Sequence, residues 1–332
     1  MGKREKMKKI ILIFLFLCPL IAKSETDAEI QLRSTINDVR NYCGGISAQM
    51  ESLKKMAGIG TVINAVGTGV GVGGVIAGVV KESKDTETLA ALKKLEESDA
   101  NQKALEELRG AYLNSNAKEN IKALAKELSA DSKKFEKIAE NQSKSDKMGN
   151  LRTGLFATNT ATSVAGAVVS SKTILDDATL EKINLCKESI AKLRDASTRM
   201  KVEDGDNVNG DLMQKSQNII ERCGKYETYD MSSLNKLAKG ATVSGAVGAV
   251  TGTVATITSA LGTSKKAVDI DYRDSAQAQK DEKSLVAANK ASNVLGGVTA
   301  GTSLAGTVLN ATQVKKVKQL VTIADNCEGV LE

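Results

Sequence analysis

Residues 57–80, AGIGTVINAVGTGVGVGGVIAGVV, form a stretch of 24 residues without a charged side chain. Residues 240–264, GATVSGAVGAVTGTVATITSALGTS, have the same character, and 153–171 and 291–314 are two further uncharged stretches rich in glycine, alanine and threonine. As a helix, 24 residues rise about 36 Å, which exceeds the roughly 30 Å hydrocarbon core of a bilayer. The same stretch is several times longer than a usual β-strand.

These four uncharged segments are therefore predicted to be helical. A sheet is the alternative, because threonine and valine favour strands and Val70 and Val72 alternate with glycines. Glycine-rich strands of this length would, however, be poorly specified in register. The one proline, Pro19, lies near the N-terminus, so the rest of the chain can form long uninterrupted helices. We predict an all-α fold of long, coiled-coil-like helical hairpins.

The sequence also indicates an internal duplication. SLKKMA at 52–57 matches SLNKLA at 233–238, and the uncharged residues that follow match at the same offset of 181. TSVAG at 162–166 matches TSLAG at 302–306 at an offset of 140. Self-similarity of this kind predicts repeated structural units. We divide the chain into a signal peptide, a first repeat that contains an inserted charged helical arm, and a shorter second repeat: 1–24, 25–200 with the arm at 81–148, and 201–332.

The N-terminal residues are typical of a secretory signal. Lys8 and Lys9 precede the apolar run 10–17, and Ala22 and Ser24 provide the small residues that signal peptidase prefers. A membrane anchor is the alternative, and the short run with a cleavage site favours a signal. Translation from Met1 and translation from Met7 fit equally well. We expect an exported protein that is periplasmic, envelope-associated or secreted.

Charge gives no indication of nucleic-acid binding. Residues 1–24 hold six of the 46 basic residues and one of the 40 acidic residues, so the mature chain keeps 40 and 39. A net charge near +1 lacks the basic excess of a nucleic-acid-binding domain. We therefore expect no nucleic-acid partner.

Four cysteines remain after the signal, and each lies on an apolar stripe with helical spacing. Leu32, Ile36, Val39 and Cys43 step by four, three and four, and Cys186, Cys223 and Cys327 lie on similar stripes. Three pairings are possible. The symmetry of the two hairpins favours Cys43 with Cys186 and Cys223 with Cys327, and export favours oxidation. Free thiols and a four-cysteine zinc site are the alternatives, but no C-x-x-C spacing exists, so we expect no metal.

Glycines four positions apart, with three residues between them, lie on one helix face and let neighbouring helices approach closely, in lipid and in water. This spacing predicts helix-packing positions and self-association. The predicted positions are Gly67, Gly71, Gly74, Gly78, Gly248, Gly252, Gly297 and Gly301.

Catalysis has little support in the sequence. The chain has no histidine, which excludes Ser-His-Asp and Cys-His arrangements. Gly69, Gly71 and Gly74 match G-x-G-x-x-G, but no strand-turn-helix context accompanies them. We expect no enzyme, no catalytic residues and no cofactor.

Two classes of function remain. The first is a non-enzymatic exported protein that associates with the membrane or cell envelope through its glycine-rich hairpins and can self-assemble. The alternative is a soluble periplasmic or secreted disulfide-closed scaffold that binds protein partners. Four long stretches without charge favour the first class, because a helix with a water-facing side normally carries charges there. The many threonine and serine residues in three of the stretches favour the second.

Overall fold

The computed structural model describes residues 26–96, 106, 110, 132–205 and 209–331. Every regular element in these ranges is a helix, and all four uncharged segments lie within helices. The predicted all-α class is therefore confirmed, and the alternative of glycine-rich strands is wrong for the described residues. The signal prediction at 1–24 lies outside the described residues, as do 97–105, 107–109 and 111–131 of the predicted charged arm.

Eight α-helices occur in the described ranges, with one 3-10 turn at Ala267–Asp269 before the last of them. In chain order they are α1 (Asp27–Cys43), α2 (Ile46–Glu96), α3 (Ser132–Ser171), α4 (Asp177–Asp204), α5 (Gly210–Cys223), α6 (Lys225–Thr228), α7 (Ser232–Ser264) and α8 (Ser275–Glu328).

The described residues form two compact units. The first, here the disulfide unit, comprises 26–51, 176–230 and 318–331; the second, the glycine unit, comprises 52–175 and 231–317. Each unit therefore contains residues from both predicted repeats. The two ends of the predicted arm, 81–96 and 132–148, are continuations of α2 and α3 in the glycine unit, with Leu92 and Ile138 fully buried.

The disulfide unit has an ordinary apolar core. Helix α1 packs along α4. The predicted cysteine-bearing stripes are buried: Leu32, Val39 and Cys43 on α1 face inward, as do Ile183 and Cys186 on α4. Polar side chains begin the helices, because an unpaired first-turn amide needs an acceptor. Their caps are Thr26 for α1, Asp176 for α4 and Asn209 for α5.

The glycine unit is built from four long helices in antiparallel neighbouring pairs. Helix α2 runs antiparallel to α3, since Gly67 faces Thr162 and Gly78 faces Arg152. Helix α7 runs antiparallel to α3 in the same way, with Gly245 against Ala167. Helices α3 and α8 run parallel and touch directly, through hydrogen bonds between residues 140 positions apart. This arrangement places the four uncharged segments side by side.

Candidate functional site

The glycine unit has a polar interior. Asn64 on α2, Asn159 on α3 and Asn310 on α8 are each at most 1% exposed. Serine and threonine hydroxyls surround them, and these pair across the helices. The pairs are Ser163 with Ser303 at 3.4 Å, Asn310 Nδ2 with Ser170 Oγ at 3.0 Å, Ser303 Oγ with Asn159 Oδ1 at 3.2 Å and Gln313 Nε2 with the carbonyl of Thr173 at 3.1 Å.

Glycines make room for these polar side chains. A methyl group at Gly60 would lie 2.9 Å from Asn310 Nδ2, and one at Gly306 would lie 3.0 Å from Asn64 Nδ2. At Gly245 the neighbour is backbone: a methyl group would lie 2.7 Å from the amide nitrogen of Ala167. These positions favour glycine, because the Cβ atom of any other residue would overlap the neighbouring atom. At Gly60 and Gly306 the absence of a side chain thus leaves room for an asparagine of a neighbouring helix. At Gly245 it lets the backbones of α7 and α3 approach closely.

Asn64 is the most isolated polar group of this interior. Neither its Oδ1 nor its Nδ2 has a hydrogen-bond partner among the described residues. Its amide fits between Gly166 of α3 and Gly306 of α8. A buried amide without partners costs free energy and is therefore rare in proteins.

One end of the interior holds a charged cluster that joins all four helices. Asp85 on α2 accepts hydrogen bonds from Lys81 and Ser145, and its Oδ2 also accepts from Asn289 Nδ2 at 2.8 Å. These side chains are buried. Arg152 on α3 completes the cluster, since its Nη1 donates to Asn289 Oδ1 at 3.3 Å and its Nε donates to Ser259 Oγ of α7 at 2.8 Å. Two cations and one carboxylate thus share a buried network.

The outside of the glycine unit is apolar along its uncharged segments, which is the reverse of an ordinary water-soluble domain. Large aliphatic side chains on all four helices are exposed; for example, Val250 is 67% exposed and Ile76 is 60% exposed. We call the set the apolar belt. Its members are Ile59, Val62, Val66, Val72, Ile76, Val79, Val80, Leu151, Val164, Val168, Val243, Val247, Val250, Val254, Ile257, Leu261, Val294, Val298, Leu304 and Val308.

The height of the apolar belt follows from the helical rise. On α7 the belt extends from Val243 to Leu261, or about 27 Å, and on α2 it extends from Ile59 to Val80, or about 32 Å. Both values are close to the roughly 30 Å of a bilayer hydrocarbon core. The belt is therefore about as tall as a membrane interior on α2 and α7, and it is shorter on α3 (Leu151 to Val168, about 26 Å) and α8 (Val294 to Val308, about 21 Å).

Threonine side chains that lie among the residues of the apolar belt form hydrogen bonds within their own helices. The exposed hydroxyls of Thr158, Thr253 and Thr258 donate to the carbonyls of the residues four positions earlier, at 2.8–3.0 Å. Back-bonding of this kind satisfies a hydroxyl without water. The threonine content that argues for a soluble protein at the level of sequence is thus compatible with an apolar environment.

The predicted helix-packing glycines occupy two different environments. Gly67, Gly71, Gly74 and Gly78 of α2 and Gly248 and Gly252 of α7 all lie against side chains of neighbouring helices. Gly297 and Gly301 have open space where a side chain would be. They lie one position, about 100° of helix rotation, beyond Gly296 and Ala300, which face the interior. With Leu304 they line a shallow outer groove of about 320 Å³.

Both predicted disulfides are present. Cys43 bonds to Cys186 and Cys223 bonds to Cys327, with Cα–Cα distances of 4.8 and 4.5 Å. All four cysteines belong to the disulfide unit. Two such bonds indicate an oxidising compartment outside the cytosol.

The disulfide unit also buries a phenol. Tyr226 of α6 is fully buried, and its hydroxyl has no hydrogen-bond partner among the described residues. Burial raises the pKa of Tyr226 above its usual range, and the nearby Glu328 and Asp325 add to the increase.

The buried network was not predicted from the sequence, although a spacing signal exists. Asn64, Gly71, Gly78 and Asp85 recur every seven residues on α2 and all face inward. Ser145, Arg152, Asn159 and Gly166 recur in the same way on α3. A seven-residue repeat of polar residues and glycines, which continues from the uncharged segments into the charged residues beside them, is the pattern that marks this interior.

No known protein family, characterised protein or solved structure matches this chain.

Proposed function

We propose that this is a non-enzymatic exported protein whose glycine unit inserts into a lipid bilayer, while the disulfide unit remains in water. The observation that carries the proposal is the reversed polarity of the glycine unit: asparagine, serine and charged groups inside, and valine, isoleucine and leucine outside. Lipid is the solvent in which this distribution is favourable, because apolar side chains gain nothing by leaving it and polar groups must pair internally.

Charge placement supports lipid over a soluble partner. Residues 56–80, 153–171, 240–264 and 291–314 carry no charge, so Arg152 of α3 is the one charged residue between the first and last belt residues of any helix. Arg152 is fully buried. Ionisable groups near membrane-spanning segments usually face the bundle interior and pair there, as Arg152 does with the Asp85 network.

Helix composition and exposure agree with insertion. Among the residues that the structure describes, two helical stretches are long and apolar enough to cross a membrane: Ser232–Ser264 and a part of Asp27–Leu95. Only 28% and 33% of their most apolar windows are buried, whereas the apolar core helix of a soluble protein would be mostly buried. The belt also encircles four helices, which fits a surrounding bilayer better than a single docked partner.

The proposal includes the internal duplication with a pseudo-twofold axis. Gly67 and Gly248 are equivalent at the offset of 181, and Ser163 and Ser303 at the offset of 140. A methyl group at Gly67 would contact Thr162 Oγ1 at 2.7 Å and Ser303 Oγ at 3.2 Å; one at Gly248 would contact Thr302 Oγ1 at 2.8 Å and Ser163 Oγ at 2.9 Å. The neighbours of Gly248 are therefore the neighbours of Gly67 with the two repeats exchanged. The seven-residue spacing of the interior positions supports coiled-coil-like packing.

Site-specific fluorescence tests insertion. The chain has no tryptophan, so a single introduced one reports on one position. Tryptophan at Val250 in the belt should shift its emission to shorter wavelength with phosphatidylcholine vesicles and be quenched by lipids with brominated acyl chains. Tryptophan at Val202, which is 78% exposed in the disulfide unit, is the matched control and should remain unquenched. Equal, water-like emission at both positions would exclude insertion of the belt.

A further inference from the structure

One end of the glycine unit is surrounded by lysines. For each helix, the first charged residue beyond the uncharged segment at this end is a lysine: Lys55 on α2, Lys172 directly after α3, Lys239 on α7 and Lys315 on α8. All four are exposed. We call these four residues the lysine collar.

Contacts between the helices place the collar residues at one end. Asn310 of α8 lies against Gly60 of α2, so Lys315 and Lys55 are at the same level of the unit. Leu175, just after α3, donates its amide to Asn235 Oδ1 of α7 at 2.8 Å, which brings Lys172 to the same end as Lys239. Lys316 Nζ donates to Ser233 Oγ at 2.8 Å and links α8 to the start of α7.

The two ends of the belt differ in charge. No aspartate or glutamate occurs in 52–80, 148–175, 231–264 or 291–317, and Glu51, Asp176 and Asp230 lie further from the belt than the collar lysines do. At the opposite end carboxylates alternate with lysines, as in Glu82 beside Lys81 and Asp146 beside Lys147. The collar end is thus basic and the other end is mixed.

We infer that the lysine collar binds the headgroups of anionic phospholipids, and that it directs this end of the glycine unit to the leaflet that contains them. The inference rests on the proposed insertion, because the belt fixes the depth at which the collar lies. A lysine next to a hydrocarbon-facing segment lays its aliphatic stem along apolar surface and its ammonium group at the headgroup level. Four ammonium groups around one bundle then face the lipid phosphates and carboxylates.

The test compares vesicles of phosphatidylcholine alone with vesicles that also contain phosphatidylglycerol. A variant with Lys55, Lys172, Lys239 and Lys315 changed to glutamine removes the collar. The matched control changes four exposed lysines of the disulfide unit, Lys192, Lys201, Lys215 and Lys318, to glutamine and has the same net charge. Circular dichroism first establishes that both variants keep the helical content of the native chain.

We expect the native chain and the control variant to bind the mixed vesicles more than tenfold more tightly than neutral ones at low salt, since each lysine at the surface contributes about fivefold. The collar variant should lose most of this preference and still bind neutral vesicles. Equal binding of the native chain to both vesicles, or an equal loss in both variants, would overturn the inference while leaving insertion intact. Binding to neither vesicle would instead overturn insertion and the inference with it.

Discussion

Ser163 and Ser303 meet inside the glycine unit, with their Oγ atoms 3.4 Å apart. They occupy the same place in TSVAG and TSLAG, and the same separation of 140 residues joins Ser170 to Asn310. The direct contact between α3 and α8 is therefore made by matching polar positions. In a soluble bundle this row would be aliphatic, and the exposed valines would be polar.

The glycine unit should respond to alanine substitution with opposite signs at two positions. Gly245→Ala places a methyl group 2.7 Å from the backbone of α3 and should lower the free energy of unfolding by about 1 to 3 kcal/mol. Gly301→Ala meets open space and should raise it by up to about 1 kcal/mol, because alanine favours the helix. Denaturant unfolding followed by circular dichroism measures both. A loss of similar size at both positions would contradict the packing described for α3 and α7.

The buried charged cluster should be more sensitive to its carboxylate than to its ammonium group. Asp85→Asn leaves Lys81 and Arg152 buried together without the carboxylate of their shared network, which should cost roughly 3 to 5 kcal/mol. Lys81→Met should cost less, since Asp85 keeps its link to Arg152 through Asn289. The comparison uses the unfolding free energies of the two variants. A larger loss for Lys81→Met would show that Asp85 does not hold the cluster together.

The two disulfides close long loops and should stabilise the disulfide unit strongly. Their sequence separations are 143 and 104 residues, for which the chain-entropy estimate gives about 5 kcal/mol each. Replacing Cys43 and Cys186 together by serine avoids a free thiol and should lower the unfolding free energy by about that amount. Peptide mapping without reduction should still find Cys223 joined to Cys327. Unchanged stability of the double variant would contradict a structural role for the first bond.

Tyr226 should make the protein sensitive to alkali. Its pKa is raised in the folded state, so the folded chain holds this proton more tightly than the unfolded chain does. Stability from this difference is complete below the ordinary tyrosine pKa of about 10 and is lost as the pH rises above it. Tyr226→Phe should match the native chain near neutral pH and be more stable above about pH 10. Parallel loss of stability for both chains across this range would exclude Tyr226 as the cause.

Much of the fold was predictable, because the spacing of apolar residues along the helices of the disulfide unit identifies the helix faces that are buried. The stripe from Leu32 to Cys43 and its counterparts indicated buried helix faces, and their symmetry indicated the correct disulfides. The division into units was not predictable from the repeats, because each compact unit combines pieces of both. The burial of Asn64 was also not predictable, since the interpretation of hydrophobic periodicity starts from the assumption that apolar residues face inward. In the uncharged segments of the glycine unit no valine, isoleucine or leucine is buried, and most of them face outward.

Flotation of the oxidised mature chain, residues 25–332, with phosphatidylcholine vesicles tests insertion most directly. We predict that the protein floats with the vesicles in high salt, where electrostatic attraction is screened. Val250→Lys should weaken this binding, because a lysine in the hydrocarbon costs about 2.5 to 3.5 kcal/mol, whereas Val202→Lys should have no effect. A native chain that stays in the aqueous fraction would contradict insertion and assign the protein to the class of soluble, disulfide-closed helical scaffolds.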